Sequence, residues 1–132
     1  MSENFMEEIF MVKIIVMGWH DFNKMVISDI GKAVKTGSFS KQEDVIYAES
    51  LGAARRLMTS ERLRMLVEVK KRRPRSLYEL AKMMKKDIKT ISTDATILSQ
   101  AGLMKLEKYN VGKRKKVRPI VSARKIQLEF AI

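Results

Sequence analysis

Lys89, Thr90, Ser92, Thr93 and Thr96 share one side of the helical repeat in the stretch DIKTISTDATILSQAG. One ammonium and four hydroxyls are short or flexible groups of the kind that hydrogen-bond phosphates and base edges and touch thymine methyls. They are mediocre helix formers, so propensity alone does not favour them there. The forward part of that side carries no Arg, Asn or Gln, so bidentate base reading is expected to be weak and DNA shape to supply part of any selectivity. A second cationic cluster, Lys113, Arg114, Lys115 and Lys116, falls in GKRKKVR between two apolar stretches, where it can reach a phosphate backbone or a narrow minor groove. A third, KKRRPR at 70–75, precedes Ser76. With Lys86, its residues Arg73 and Arg75 and the helix start at Ser76 are expected near flanking phosphates. The bland alternative for each cluster is an ordinary solvated surface.

Other chemistry finds little support. The chain has one histidine, His20, and no cysteine, so no Ser-His-Asp set, Cys-His pair, thiolate metal site or disulfide is expected. There is no Gly-rich phosphate loop, and Glu43 and Asp44 sit in an expected loop without a general-acid context. No catalysis, metal or cofactor is therefore expected. Ten methionines are expected mainly to fill core space. Trp19 and His20 either line a small pocket or form a partly buried structural pair, the second being expected.

The elements that must position the clusters are legible from spacing. Ser76 and Glu79 form an S-x-x-E capping box, and Leu77, Leu80, Ala81 and Met84 share a helical face. KKD makes a turn, Asp87 caps the next helix, Ile88, Ile91, Ala95 and Leu98 face inward, and Gly102 stops it. Upstream, Ser50 caps LGAARRLM and Thr59 caps SERLRMLVEVKKRR, with Leu63, Leu66 and Val67 inward and Pro74 ending the run. Downstream, LMKLEKY and VRPIV read as strands around the basic turn NVGKRKK, and KIQLEFAI as a final half-buried strand. At the start, MVKIIVMGW (11–19) reads as a strand. Residues 20–37 read as a helix capped by Asp21, with Phe22, Met25, Val26, Ile30, Ala33 and Val34 on one face and Gly37 at its end. SFSKQED is a loop and VIYAES a short strand. Met11 is a second candidate start, leaving 1–10 as an extension.

Length and charge set the frame. The chain of 132 residues, 45% hydrophobic, suffices for one compact domain with a modest core. Its longest apolar run, IIVMGW, falls far short of the roughly 20 residues of a membrane span. The acidic start lacks a signal-peptide pattern, so a cytoplasmic protein is expected. Net charge is +12, with the whole basic excess after residue 54. Such asymmetry points to a polyanionic partner.

Helix, short helix, turn, second helix, then a basic-tipped hairpin is the order of a winged helix-turn-helix. From about Lys13 onward the chain resembles a family of small archaeal and bacterial winged-helix proteins described as DNA-binding, antitoxin-like or MarR-like transcriptional regulators. The stretches that carry the resemblance are LMTSERLRMLVEVKKRRPRSLYELAKMMKKDIKTISTDATILSQAGLMKLE and GKRKKVRPIVSARKIQLEFAI, with the preceding strand-helix-strand. The resemblance implies DNA contact through Lys89 to Thr96 and the wing. Where such proteins often carry basic or amide residues on this helix, Thr90, Ser92 and Thr93 stand here.

The expected architecture is thus α+β: an N-terminal β-α-β extension at 1–49, and a winged helix with a C-terminal strand at 50–132. The expected function is sequence-preferring double-stranded DNA binding in transcription regulation, as a homodimer joined through the N-terminal extension, because IIVMGW is too apolar for an exposed edge strand. Two alternatives stand beside it. One is RNA binding, for which aromatic platforms are scarce in the basic half. The other is an antitoxin-like or adaptor role through a toxin-like protein partner.

Overall fold

A computed structural model describes residues 11–28, 39–42 and 45–132. The chain is α+β and divides into two compact units, residues 1–58 with 123–132, and residues 59–122. The division differs from the boundary expected at residue 50. The helix at 51–57 and the C-terminal strand both join the first unit.

Among the described residues the first unit is a four-stranded sheet with two helices. Strand β1 (Met11–Val16) alternates half-buried and buried positions, with Val12, Ile14 and Val16 inward. Helix α1 (Trp19–Ser28) follows. Strand β2 (Phe39–Gln42) pairs antiparallel with β3 (Val45–Ala48), so part of the expected loop SFSKQED is strand. β3 runs parallel to β1, aligning Ile14 with Ile46 and Val16 with Ala48. Helix α2 (Leu51–Leu57) begins where the Ser50 hydroxyl accepts the Ala53 N–H at 3.1 Å, and it buries Ala53, Ala54 and Leu57. Two alanines let its backbone lie close to β1 and β3, which it packs against.

Several expectations change in this unit. The first strand ends at Val16, and Trp19 opens α1 with 62% of its surface exposed, beside an exposed His20, so the two form no buried pair. The carbonyl that accepts the first helical N–H, from Phe22 at 3.0 Å, belongs to Gly18; Asp21 sits in the first turn and is not the cap. The side chain of Val26, positions Ile30, Ala33, Val34 and Gly37, and Glu43 and Asp44 lie outside the described residues. Of the run IIVMGW, only Ile14–Val16 are strand, and that strand is central: among the described residues the sheet order is β2-β3-β1-β6, β6 being Lys125–Phe130. β6 pairs parallel with β1 and forms the outer strand, with Leu128 and Phe130 exposed where half-burial was expected.

The second unit builds three helices and a hairpin from local signals. The Thr59 hydroxyl accepts the Arg62 N–H at 3.2 Å and caps α3 (Ser60–Arg72). α3 ends with Arg73 left-handed at φ 47, ahead of buried Pro74. α4 (Leu77–Met84) and α5 (Ile88–Gln100) follow, then β4 (Lys105–Val111) antiparallel to β5 (Arg114–Ile120). Met65, Leu66 and Val69 of α3 are buried with Leu80, Ala81 and Met84 of α4 and Ile91, Ala95 and Leu98 of α5. Full burial of each larger side chain contributes about 1.5–3 kcal/mol.

Of the α3 face expected inward, Leu66 is buried, but the face is turned from Leu63 and Val67. Leu63 and Val67 are 47% and 41% exposed, whereas Met65 and Val69 are buried. The reason is Arg62, which shares the inner face and reaches Asp94 of α5 at 3.1 Å, both side chains being mostly covered. α5 ends in a Schellman motif: Gly102, at φ 81, donates to Ser99 and Leu103 donates to Leu98.

Candidate nucleic-acid interface

The helical pair that carries the hydroxyl row is fixed by three local devices. The Ser76 hydroxyl, almost fully buried, accepts the Glu79 N–H at 3.1 Å and starts α4. At the other end Lys86 donates to Ala81 and Lys85 to Lys82, with Lys85 left-handed at φ 55, so a lysine occupies a position that usually takes glycine. The Asp87 carboxylate then accepts the Thr90 N–H at 2.7 Å and starts α5. Hydrogen bonds from the Thr90 backbone and hydroxyl hold the Asp87 carboxyl below its ordinary range.

On α5, Lys89, Thr90, Thr93 and Thr96 are exposed and Ser92 is half-buried, so the five expected residues do share an accessible side. Their hydroxyls are not interchangeable. Thr93 Oγ1 donates to the Lys89 carbonyl at 2.9 Å and Thr96 Oγ1 to the Ser92 carbonyl at 2.8 Å. Thr90 meets Asp87 through its backbone N–H. With their protons committed to backbone carbonyls, Thr93 and Thr96 offer acceptor lone pairs and methyl groups, and donation to phosphates would require breaking those bonds.

The hairpin closes with a two-residue loop between Val111 and Arg114. Gly112 lies at φ 63, and Lys113 is not left-handed, the pattern of a type II′ turn. Only Lys113 of the expected basic tip is therefore in the turn; Arg114, Lys115 and Lys116 belong to β5. The Tyr109 hydroxyl of β4 donates to the Arg75 carbonyl at 2.6 Å, tying the hairpin to the entry of α4. The Arg118 guanidinium stacks 4.9 Å from the Tyr109 ring centroid and lies 3.6 Å from Glu107.

Between α4 and β5 runs a cavity of about 600 Å³ lined by Ser76, Tyr78, Glu79, Lys82, Arg114, Lys115 and Lys116. Four cations face one carboxylate there. Ser76 and three of the hairpin cations expected from sequence meet in this groove, while Arg73, Arg75, Lys86, Lys113 and the α5 face lie outside its lining. Tyr78, 68% exposed, and Lys82 were not anticipated. Their signal was their i, i+4 spacing on the polar side of α4. Lys86 is held at 2.9 Å by Glu61, whose carboxyl that hydrogen bond and charge push below its ordinary range.

Residues 59–122 hold 18 Lys/Arg and 6 Asp/Glu, so this unit carries the whole net charge of +12, and the remaining residues balance to zero. Among the described residues no group of three or more His, Cys, Asp or Glu could hold a metal, and no helix is long and apolar enough to cross a membrane.

The class these features define is an α+β protein with a strongly basic unit of three helices and a hairpin. The chain belongs to the HVO_A0114 family, whose sequence model matches residues 57–128, more than half of the chain. No curated protein and no solved structure matches it.

Proposed function

We propose that the chain is a sequence-preferring double-stranded DNA-binding protein acting in transcription regulation, and that residues 59–122 work as a winged helix. In this reading α5 enters the major groove, with Lys89, Thr90, Ser92, Thr93 and Thr96 toward the bases. The β4–β5 hairpin is the wing, and the cationic groove beside α4 takes the phosphate backbone. The observation that carries the reading is the confinement of the +12 charge to the unit that also exposes one side of α5. The threonine row suits thymine methyls and base-edge donors, so discrimination rests on methyl contact and DNA shape more than on bidentate pairs.

The test is a variant with Lys113, Arg114, Lys115 and Lys116 changed to alanine. Binding to every duplex should weaken, and the slope of log K against log salt should flatten by roughly 0.9 per lost phosphate contact. Full affinity with an unchanged slope would remove the hairpin from the interface.

A second reading, an antitoxin-like or adaptor protein working through a protein partner, is favoured by Leu63 and Val67, exposed at i, i+4 on α3. A stoichiometric partner released by Leu63→Asp, with DNA binding unaffected, would support it.

A further inference from the structure

We propose that the outer edge of β6 pairs antiparallel with β6 of a second copy, in one register centred on Gln127, making a continuous sheet across a twofold dimer. The proposal does not depend on DNA binding.

β6 is paired on one side only among the described residues. The Ala131 N–H donates to the Val16 carbonyl at 2.8 Å. By strand alternation the amides of Gln127 and Glu129 then also face β1, and those of Ile126, Leu128 and Phe130 face outward. This outward row is regular over six residues, with no proline. Such an edge is a template for another strand unless it is blunted. The side chains agree. Ile126, Leu128 and Phe130 align with Val12, Ile14 and Val16, so they lie on the sheet face whose centre is buried. At the edge, however, Leu128 is 47% and Phe130 56% exposed.

The occupant follows from charge. The strand reads Lys125-Ile126-Gln127-Leu128-Glu129-Phe130. A twofold through Gln127 sets Lys125 opposite Glu129 of the second copy, twice by symmetry, Ile126 opposite Leu128, and Gln127 opposite itself. A twofold through Leu128 sets Glu129 opposite Gln127. One through Ile126 sets Lys125 opposite Gln127. One through Lys125 opposes like charges. Only the Gln127 register pairs both ions and both apolar side chains. Glu129 already lies 3.6 Å from Lys13 across the β1–β6 pair, so it would carry a cation on each side.

The chain contains no cysteine, so one introduced thiol can bond only to a second copy. In the proposed register Gln127 opposes its own image at a non-hydrogen-bonded position, where Cα atoms lie about 4.5 Å apart, within disulfide reach. Leu128 is diagonal to its image at about 7–8 Å, beyond it. The experiment measures mass by light scattering without DNA, and cross-linking by diamide. The wild type should be a dimer, Gln127→Cys should cross-link, and Leu128→Cys should not. Lys125→Glu should weaken dimerisation on the order of tenfold by placing two glutamates opposite each other at each end. Lys125→Glu with Glu129→Lys should restore it. A monomeric wild type, a dimer indifferent to Lys125→Glu, or stronger cross-linking of the Leu128→Cys variant than of Gln127→Cys would each overturn the proposal.

Discussion

Asp87 is where helix geometry and electrostatics meet most directly. Its carboxylate accepts the Thr90 N–H, and the Thr90 bonds keep it ionised below its ordinary range. A group whose folded pKa is depressed stabilises the fold above the unfolded carboxylate value, and that stability is lost as pH falls through the folded one. Glu61, held by Lys86, acts with the same sign. Acidification from about pH 5 to pH 3 should therefore cost the wild type more stability than Asp87→Asn, whose amide oxygen still caps the helix without titrating. Parallel urea midpoints across that range for both proteins would contradict the assignment. The presence of hydroxyls along α5 was legible in the sequence; the direction of their protons was not. A threonine on a helix can bond back to the i−4 carbonyl or point to solvent, and spacing does not distinguish the two. Thr93 and Thr96 do the first.

At the scale of elements, most signals confined to a few residues were read correctly, the Asp21 cap being an exception. Ser50, Thr59, Ser76 and Asp87 all cap their helices, and Gly102 ends α5, because cap and partner lie within one turn. Features set by distant partners were missed. The inner face of α3 includes Arg62 because Asp94, 32 positions away, compensates its charge. The hairpin strands run closer to the turn than the charge run suggested, since Gly112 allows a two-residue loop. The hairpin is also held by a contact no local pattern announces, the Tyr109 hydroxyl on the Arg75 carbonyl. Tyr109→Phe removes that donor and should cost about 1 kcal/mol of stability. It should also weaken DNA binding through a looser hairpin, with the salt slope unchanged because no cation is lost. A flattened slope in this variant would show that the tyrosine does more than anchor.

For the whole molecule, the unexpected feature is a chain that leaves the sheet, builds the helical unit at 59–122, and returns to it. β6 aligns Leu128 with Ile14, a pairing of residues from opposite ends of the chain. Alternation identified β6 as a strand but not its partner, since any apolar strand would satisfy the same pattern. Two compact units imply separable stability. Deleting residues 123–132 should expose one edge of β1 and speed amide exchange in β1 and β3, while α3, α4 and α5 keep their protection. Equal loss across both units would mean that they unfold as one.

We propose that the basic unit serves sequence-preferring binding of double-stranded DNA. The most direct measurement is a titration of the full chain into labelled duplex from upstream of its own gene, at two salt concentrations. A scrambled duplex and a matched RNA serve as competitors. Binding should be strongly salt-dependent, with the upstream duplex preferred by on the order of 10³ or more over the scrambled one and over RNA. Equal affinity for both duplexes, or a preference for the RNA, would contradict it.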